Sequence, residues 1–175
     1  MTKEELAKKI YQISNLKGNF VLRSGQTSNE YFDKYLFEGQ PEILASIAEL
    51  MKTLIPKQFD FLAGLEMGGI PIATALSLST GKPTLFIRKR AKEYGTCKFA
   101  EGGGIEGKRL LIVEDVVTSG GAIIDATRKL RSEGAIIEDV ICVIDRQESG
   151  KQNLENAGLN FFPLFTKNFI ESQVG

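Results

Sequence analysis

Residues 110–122 read Leu-Leu-Ile-Val-Glu-Asp-Val-Val-Thr-Ser-Gly-Gly-Ala, the densest run of potential ligand-binding groups in the chain. Its front, Leu110 to Val113, is a continuous apolar run of the kind parallel strands carry when both sheet faces are covered. Its back looks built to hold an anion. Thr118, Ser119, Gly120 and Gly121 precede an apolar-periodic stretch (Ile123, Ile124, Ala126, Leu130), so their N–H groups are expected to lie free at a helix N-terminus, where a phosphate is favoured. The glycines let the backbone come close to such a ligand. Glu114 and Asp115 accept hydrogen bonds only and would repel a phosphate, so they need a different partner. The diol of a ribose 5′-phosphate supplies one, with two hydroxyl donors near a phosphate. The competing reading is an ordinary strand-to-helix turn with an acidic start. The spacing does not fit the dinucleotide pattern G-x-G-x-x-G.

A second stretch lies between a strand ending near Ile87 and the one starting at Leu110. From Arg88 to Gly104 it shows no convincing periodicity, and a connection that long inside a compact domain is usually functional or disordered. Arg88 to Lys98 carries five positive charges and one negative, and Gly95 and Gly102 to Gly104 permit bending. A flexible lid over residues 89–107 that brings cations onto a polyanion is expected. Cations aimed at an anionic leaving group act as its charge develops, and closure keeps water from the reacting carbon. Mg²⁺ is the expected cofactor, held chiefly by the oxygens of that polyanion and through water by Glu114 and Asp115.

The elements that must position these groups are legible in outline. Thr2 and Glu5 form a capping box for a helix with Leu6, Ala7, Ile10 and Ile13 on one face, ended by Gly18. Pro41 opens a second helix, stopped before Pro56. Strands are then expected at 61–65, 84–87, 110–113 and 140–144, with a short fifth at 161–164, and helices at 69–79 and 122–132, the latter capped by Gly134. This alternation argues an α/β fold with a doubly wound, mostly parallel sheet and flanking helices. Ligands in such sheets bind beyond the carboxyl ends of the strands, where Glu66 to Gly69, Arg88, Glu114 to Gly121, Asp145 and Arg146 fall.

Composition narrows the chemistry. At 175 residues the chain reads as one domain, and 22 basic against 22 acidic residues give no global field to attract nucleic acid or an anionic membrane. No apolar run approaches a membrane span, and the N-terminus opens as a capped helix, not as a signal peptide. With Cys97 in a polar stretch and Cys142 in an apolar one, a cytoplasmic protein is expected. Histidine is absent, so general acid–base work falls to Lys, Arg, Asp, Glu, Tyr or backbone groups.

Residues 110–122 resemble the phosphoribosyl pyrophosphate (PRPP) signature of type I phosphoribosyltransferases. Phe20 to Asp33, with its Ser-Gly-x-x-Ser run, Gly64 to Ala73, Arg88 to Gly95 and Asp145 to Glu148 together are similar to the orotate phosphoribosyltransferase family, over about residues 18 to 148. The resemblance implies a single phosphoribosyltransferase domain over 1–175, with a small N-terminal hood at 1–40 and the lid at 89–107. It implies transfer of phosphoribosyl from PRPP to orotate, giving orotidine 5′-monophosphate and diphosphate, in pyrimidine biosynthesis. Lys89, Lys92 and Tyr94 would meet PRPP from the lid and Arg88 from the strand end, with Lys89, Lys92 and Asp115 the catalytic residues. Glu114 and Asp115 would hold the ribose hydroxyls, and Val116, Val117, Thr118, Ser119, Gly120, Gly121 and Ala122 would surround the 5′-phosphate. Arg146 would pair with the orotate carboxylate, and Arg23, Phe32 and Thr118 would complete the base pocket. A homodimer whose lids reach into the neighbouring sites is implied as well.

An arginine's fork suits a carboxylate, and the acidic ring nitrogen of orotate needs little help from a base. The chain departs from relatives in three places. Arg23 stands where many carry lysine, Tyr94 where bacterial ones often carry histidine, and Met67 and Gly68 where some place a lysine, which leaves diphosphate contact there to backbone N–H groups. Two alternatives are a PRPP-sensing regulator on the same fold, which would lose the lid lysines, and a salvage enzyme for another nucleobase, which would give Arg23 and Arg146 no carboxylate to bind.

Overall fold

The computed structural model describes residues 1–22, 25–95 and 97–174. Five parallel strands form the centre: β3 (Phe61–Leu65), β4 (Thr84–Ile87), β6 (Arg109–Val117), β7 (Ile136–Asp145) and β8 (Asn160–Thr166). A two-residue strand β5 (Ala100–Glu101) adds antiparallel to β4 at one edge, and the spatial order is β5-β4-β3-β6-β7-β8. The chain therefore adds β4 on one side of β3 and β6 on the other, so the strand order switches between β3 and β6. That switch opens a crevice beyond their carboxyl ends, the place where ligands bind in open α/β sheets.

Helices cover both faces. On one lie α1 (Lys3–Ser14), α2 (Lys34–Glu38), α3 (Pro41–Met51), α4 (Gly69–Thr80) and α7 (Lys167–Ser172), whose apolar residues pack on Leu62, Leu111, Val113, Ile141 and Val143. On the other lie α5 (Gly121–Ser132) and α6 (Glu148–Asn156), packed with Ala63, Leu85, Leu110, Ile112 and Cys142. Adjacent residues of β6 thus serve opposite layers, as strand geometry requires. A separate antiparallel hairpin, β1 (Asn15–Val21) with β2 (Thr27–Phe32), stands outside the main sheet. No helix among the described residues is long and apolar enough to cross a membrane.

The capping box of α1 is present, with Glu5 N–H donating to the Thr2 hydroxyl and Thr2 N–H to the Glu5 carboxylate. Gly18 does not end this helix. α1 stops at Ser14 and the chain turns directly into β1, where the ladder to β2 shifts register between Lys17 and Phe20. The expected lid also needs correction at its far end. Phe99, Ala100 and Ile105 are buried, and Ala100 pairs with Ile87, so these residues are fixed to the sheet, and the described residues outside helix and strand here are 88–95 and 97–99. Their apolar side chains are worth more in the core than in a moving loop.

Candidate active site

Two cavities open at the carboxyl end of the sheet. One, of about 340 Å³, lies on the α5 side and is lined by Glu66, Arg88, Lys89, Glu114, Ala122 and Lys129, among others. The second, of about 360 Å³, lies under the hairpin and is lined by residues that include Phe32, Arg146, Tyr31 and Lys167.

The anion cradle follows from the backbone. β6 ends at Val117, Thr118 and Ser119 are exposed, and Gly120 adopts φ of +75° as the N-cap of α5. No side chain caps that helix start, so its first N–H groups remain for a ligand; only Gly121 N–H meets the Ser119 hydroxyl, at 3.5 Å. Val116 is half-buried and Val117 buried, so their side chains support the turn from below. α6, absent from the sequence reading, braces it: Asn153 donates its side-chain amide to the Ser119 carbonyl at 3.0 Å. Gly150 packs so close that an added Cβ would lie 2.2 Å from the Thr118 carbonyl oxygen.

The two acids part company. Glu114 shares the face of Leu110 and Ile112 and lines the 340 Å³ cavity. Asp115 points into the other layer and is 0% exposed, beneath Gly68, whose Cβ, if it had one, would sit 1.6 Å from Asp115 Oδ2. There Lys34 of α2 places its ammonium 2.6 Å from Oδ2, while Oδ1 accepts from Val116 N–H. Glu38, one turn further along α2 and 7% exposed, brings a buried Oε1 that accepts no ordinary hydrogen bond.

Burial and the neighbouring Asp115 push the Glu38 carboxyl up to about 9, so it keeps its proton near neutrality. Burial and Asp115 likewise push Glu114 well above the usual carboxylate range. Burial alone would raise Asp115 as well, but hydrogen bonding from Glu114 and Glu38 together with the Lys34 charge holds it below its ordinary value. Lys34 feels the reverse balance: burial lowers it, and Asp115 more than restores it. Lys34 and Glu38 were missed in the sequence because nothing local marks them. Their four-residue spacing on a helix of five residues is the one available clue.

The lid cations divide. Arg88 and Lys89 line the 340 Å³ cavity, and the Glu66 carboxylate accepts Lys89 N–H at 2.9 Å, tying the loop after β3 to the end of β4. Lys92 lies 2.5 Å from Glu101, with Arg88 3.9 Å from the same oxygen. Tyr94 is 74% exposed and lines neither cavity. Lys129, also unforeseen, reaches over the Phe99 ring at 4.1 Å and closes the far wall.

In the second cavity Arg146 leans on the Phe32 ring at 5.5 Å, so two expected base-pocket residues come together. Thr118 does not line it. Arg23 lies outside the described residues, as does Ser24. Among the described residues no group of three or more Asp, Glu, His or Cys is placed to hold a metal unaided. Glu66 and Glu114, both lining the 340 Å³ cavity, are hard oxygen donors that suit an ion already held by phosphate oxygens.

Comparison with known proteins identifies the family and the fold. Residues 37–158 match the family model described as phosphoribosyl transferase domain. An orotate phosphoribosyltransferase of Nocardioides sp. is 52% identical over 162 residues, covering 93% of this chain and 90% of that protein. One of Pyrococcus horikoshii is 44% identical over 166 residues, covering 93% and 89%. The crystal structure of Mycobacterium tuberculosis orotate phosphoribosyltransferase in complex with PRPP superposes with a TM-score of 0.82 at 26% identity, covering 97% of this chain and 98% of that one.

Proposed function

We infer that this chain, which belongs to the orotate phosphoribosyltransferases of the type I phosphoribosyltransferase class, transfers 5-phosphoribosyl from PRPP to orotate, releasing diphosphate and forming orotidine 5′-monophosphate in pyrimidine biosynthesis. The observation that carries the reading is an uncapped, glycine-led helix start, preceded by Glu114 and flanked by a basic lid, on a chain 52% identical to a named enzyme of this activity.

The N–H groups of residues 118–122 hold the 5′-phosphate, where fixed dipoles meet its charge without reorganisation. Glu114 holds the ribose diol from the cavity. Asp115 shares that grip from beneath the loop 66–68, which must shift for a hydroxyl to reach it. Arg88, Lys89 and Lys92 draw off the negative charge that grows on diphosphate as the anomeric bond breaks. Arg146, with Phe32 and Arg23, fixes orotate by its carboxylate and ring face. The orotate ring nitrogen, already acidic, attacks without a histidine. Bound Mg²⁺ would neutralise the diphosphate oxygens, with Glu66 and Glu114 the residues placed to hold its water shell.

The working form is a cytoplasmic homodimer whose lids cross between subunits. A single assay tests the whole: purified protein with PRPP and Mg²⁺ depletes orotate absorbance. Turnover of uracil or hypoxanthine in place of orotate would overturn the assignment in favour of a salvage enzyme.

A further inference from the structure

Two of the buried carboxyl residues, Glu38 and Asp115, meet Lys34 under Gly68, and of the three only Asp115 has a part in the chemistry above. We propose that Lys34 and Glu38 are positioning residues for PRPP, holding the Asp115 carboxylate in place beneath the loop at 66–68 so that it meets the ribose when that loop shifts. This deepens the site assigned above and rests on Asp115 taking part in PRPP binding.

The geometry is specific. A carboxylate with no exposed surface is held by a cation and additional hydrogen bonds or is strongly disfavoured, and Lys34 is the cation in contact with Asp115. The loop that covers it, Met67-Gly68, brings no cation of its own, so the ammonium beside it arrives from α2. Gly68 can lie over Asp115 because it has no side chain, and the Cβ position it leaves open is 1.6 Å from Oδ2 and 3.0 Å from Glu38 Oε1. Loop, acid and α2 therefore fix one another.

α2 also follows directly on β2, with Asp33 as its N-cap, accepting Tyr35 N–H at 3.1 Å. Phe32, which packs under Arg146, is thus two residues from Lys34. The hood segment that shapes the base pocket continues into the group that orients the sugar acid. An ion pair retained for stability alone has no reason to sit at the switch point of the sheet, where it joins β6 to the loop after β3.

Steady-state kinetics of Lys34→Met, Lys34→Arg, Glu38→Leu and Asp115→Asn, with thermal melts to verify folding, decide the matter. In Lys34→Met the KM for PRPP is expected to rise about tenfold or more, with the orotate KM within about twofold, and Lys34→Arg is expected to restore most of the loss. In the Asp115→Asn background Lys34→Met should add nothing, because a residue that acts through another shows non-additive effects. The proposal is overturned if Lys34→Met, or Glu38→Leu should that chain not fold, keeps a wild-type KM for PRPP, or if the double variant shows additive losses. Wild-type PRPP kinetics in Asp115→Asn would instead overturn the role of Asp115 itself.

Discussion

Lys92 sits against Glu101, 2.5 Å away, so its ammonium is engaged before any diphosphate arrives. The exchange of Glu101 for a diphosphate is nearly neutral in the ground state, because one anionic partner replaces another. The gain comes only as the leaving group gathers charge, and an interaction made mainly in the transition state appears in kcat. Lys92→Ala is therefore expected to lower kcat by about a hundredfold or more while the KM for PRPP moves little. Stopped-flow and steady-state kinetics separate the two, and an unchanged kcat would remove Lys92 from the chemistry. The same variant tests lid sharing. Mixed with Asp115→Asn subunits, it is expected to regain activity, since one site of a mixed dimer then carries neither defect.

At the scale of elements, α6 is the part of the phosphate site that periodicity could not reveal. Its sequence, Glu148 to Asn156, carries one large apolar residue, Leu154, and so gives no 3.6-residue stripe. Its close approach to the cradle depends on Gly150, with 2.2 Å between a built Cβ and the Thr118 oxygen. Gly150→Ala must push the cradle away or distort α6. It is expected to destabilise the fold by about 1–3 kcal/mol and to weaken PRPP binding through the displaced cradle. Calorimetric titration with PRPP checks it, and wild-type affinity would show that the cradle keeps its shape without this brace.

The cradle itself was legible because apolar run, acids, hydroxyls and glycines are contiguous, and the parallel strands because both their faces are buried. β6 is longer than its apolar run suggested, since Glu114 and Asp115 continue the pleat. The short α2 and β5 lay below the reach of pattern, because their positions are set by partners distant in sequence: Asp115 for Lys34, and Ile87 for Ala100. That Arg146 and Phe32 belong to one pocket was expected from family likeness alone; spacing says nothing about residues so far apart.

For the molecule as a whole, the carboxyl cluster makes stability depend on pH in a direction opposite to that of ordinary surface acids. Glu38 ionises near 9 in the fold and near 4.5 when unfolded, so between those values the native state retains a proton that the unfolded chain releases. Its contribution is fully present below 4.5 and is lost as pH rises through 9. The limit for one proton is about 1.4 kcal/mol per pH unit. Glu114, raised by burial and Asp115, acts with the same sign, whereas Asp115, held low, contributes above its ordinary value and loses that contribution only in acid. Stability is therefore expected to decline from about pH 5 to pH 9. Glu38→Gln, which keeps a neutral donor toward Asp115 but has no proton to lose, should flatten that decline. Urea midpoints for wild type and Glu38→Gln at pH 5, 7 and 9 decide it. Curves that separate toward high pH, with Glu38→Gln gaining on wild type, place the retained proton on Glu38, and parallel curves place it elsewhere in the cluster.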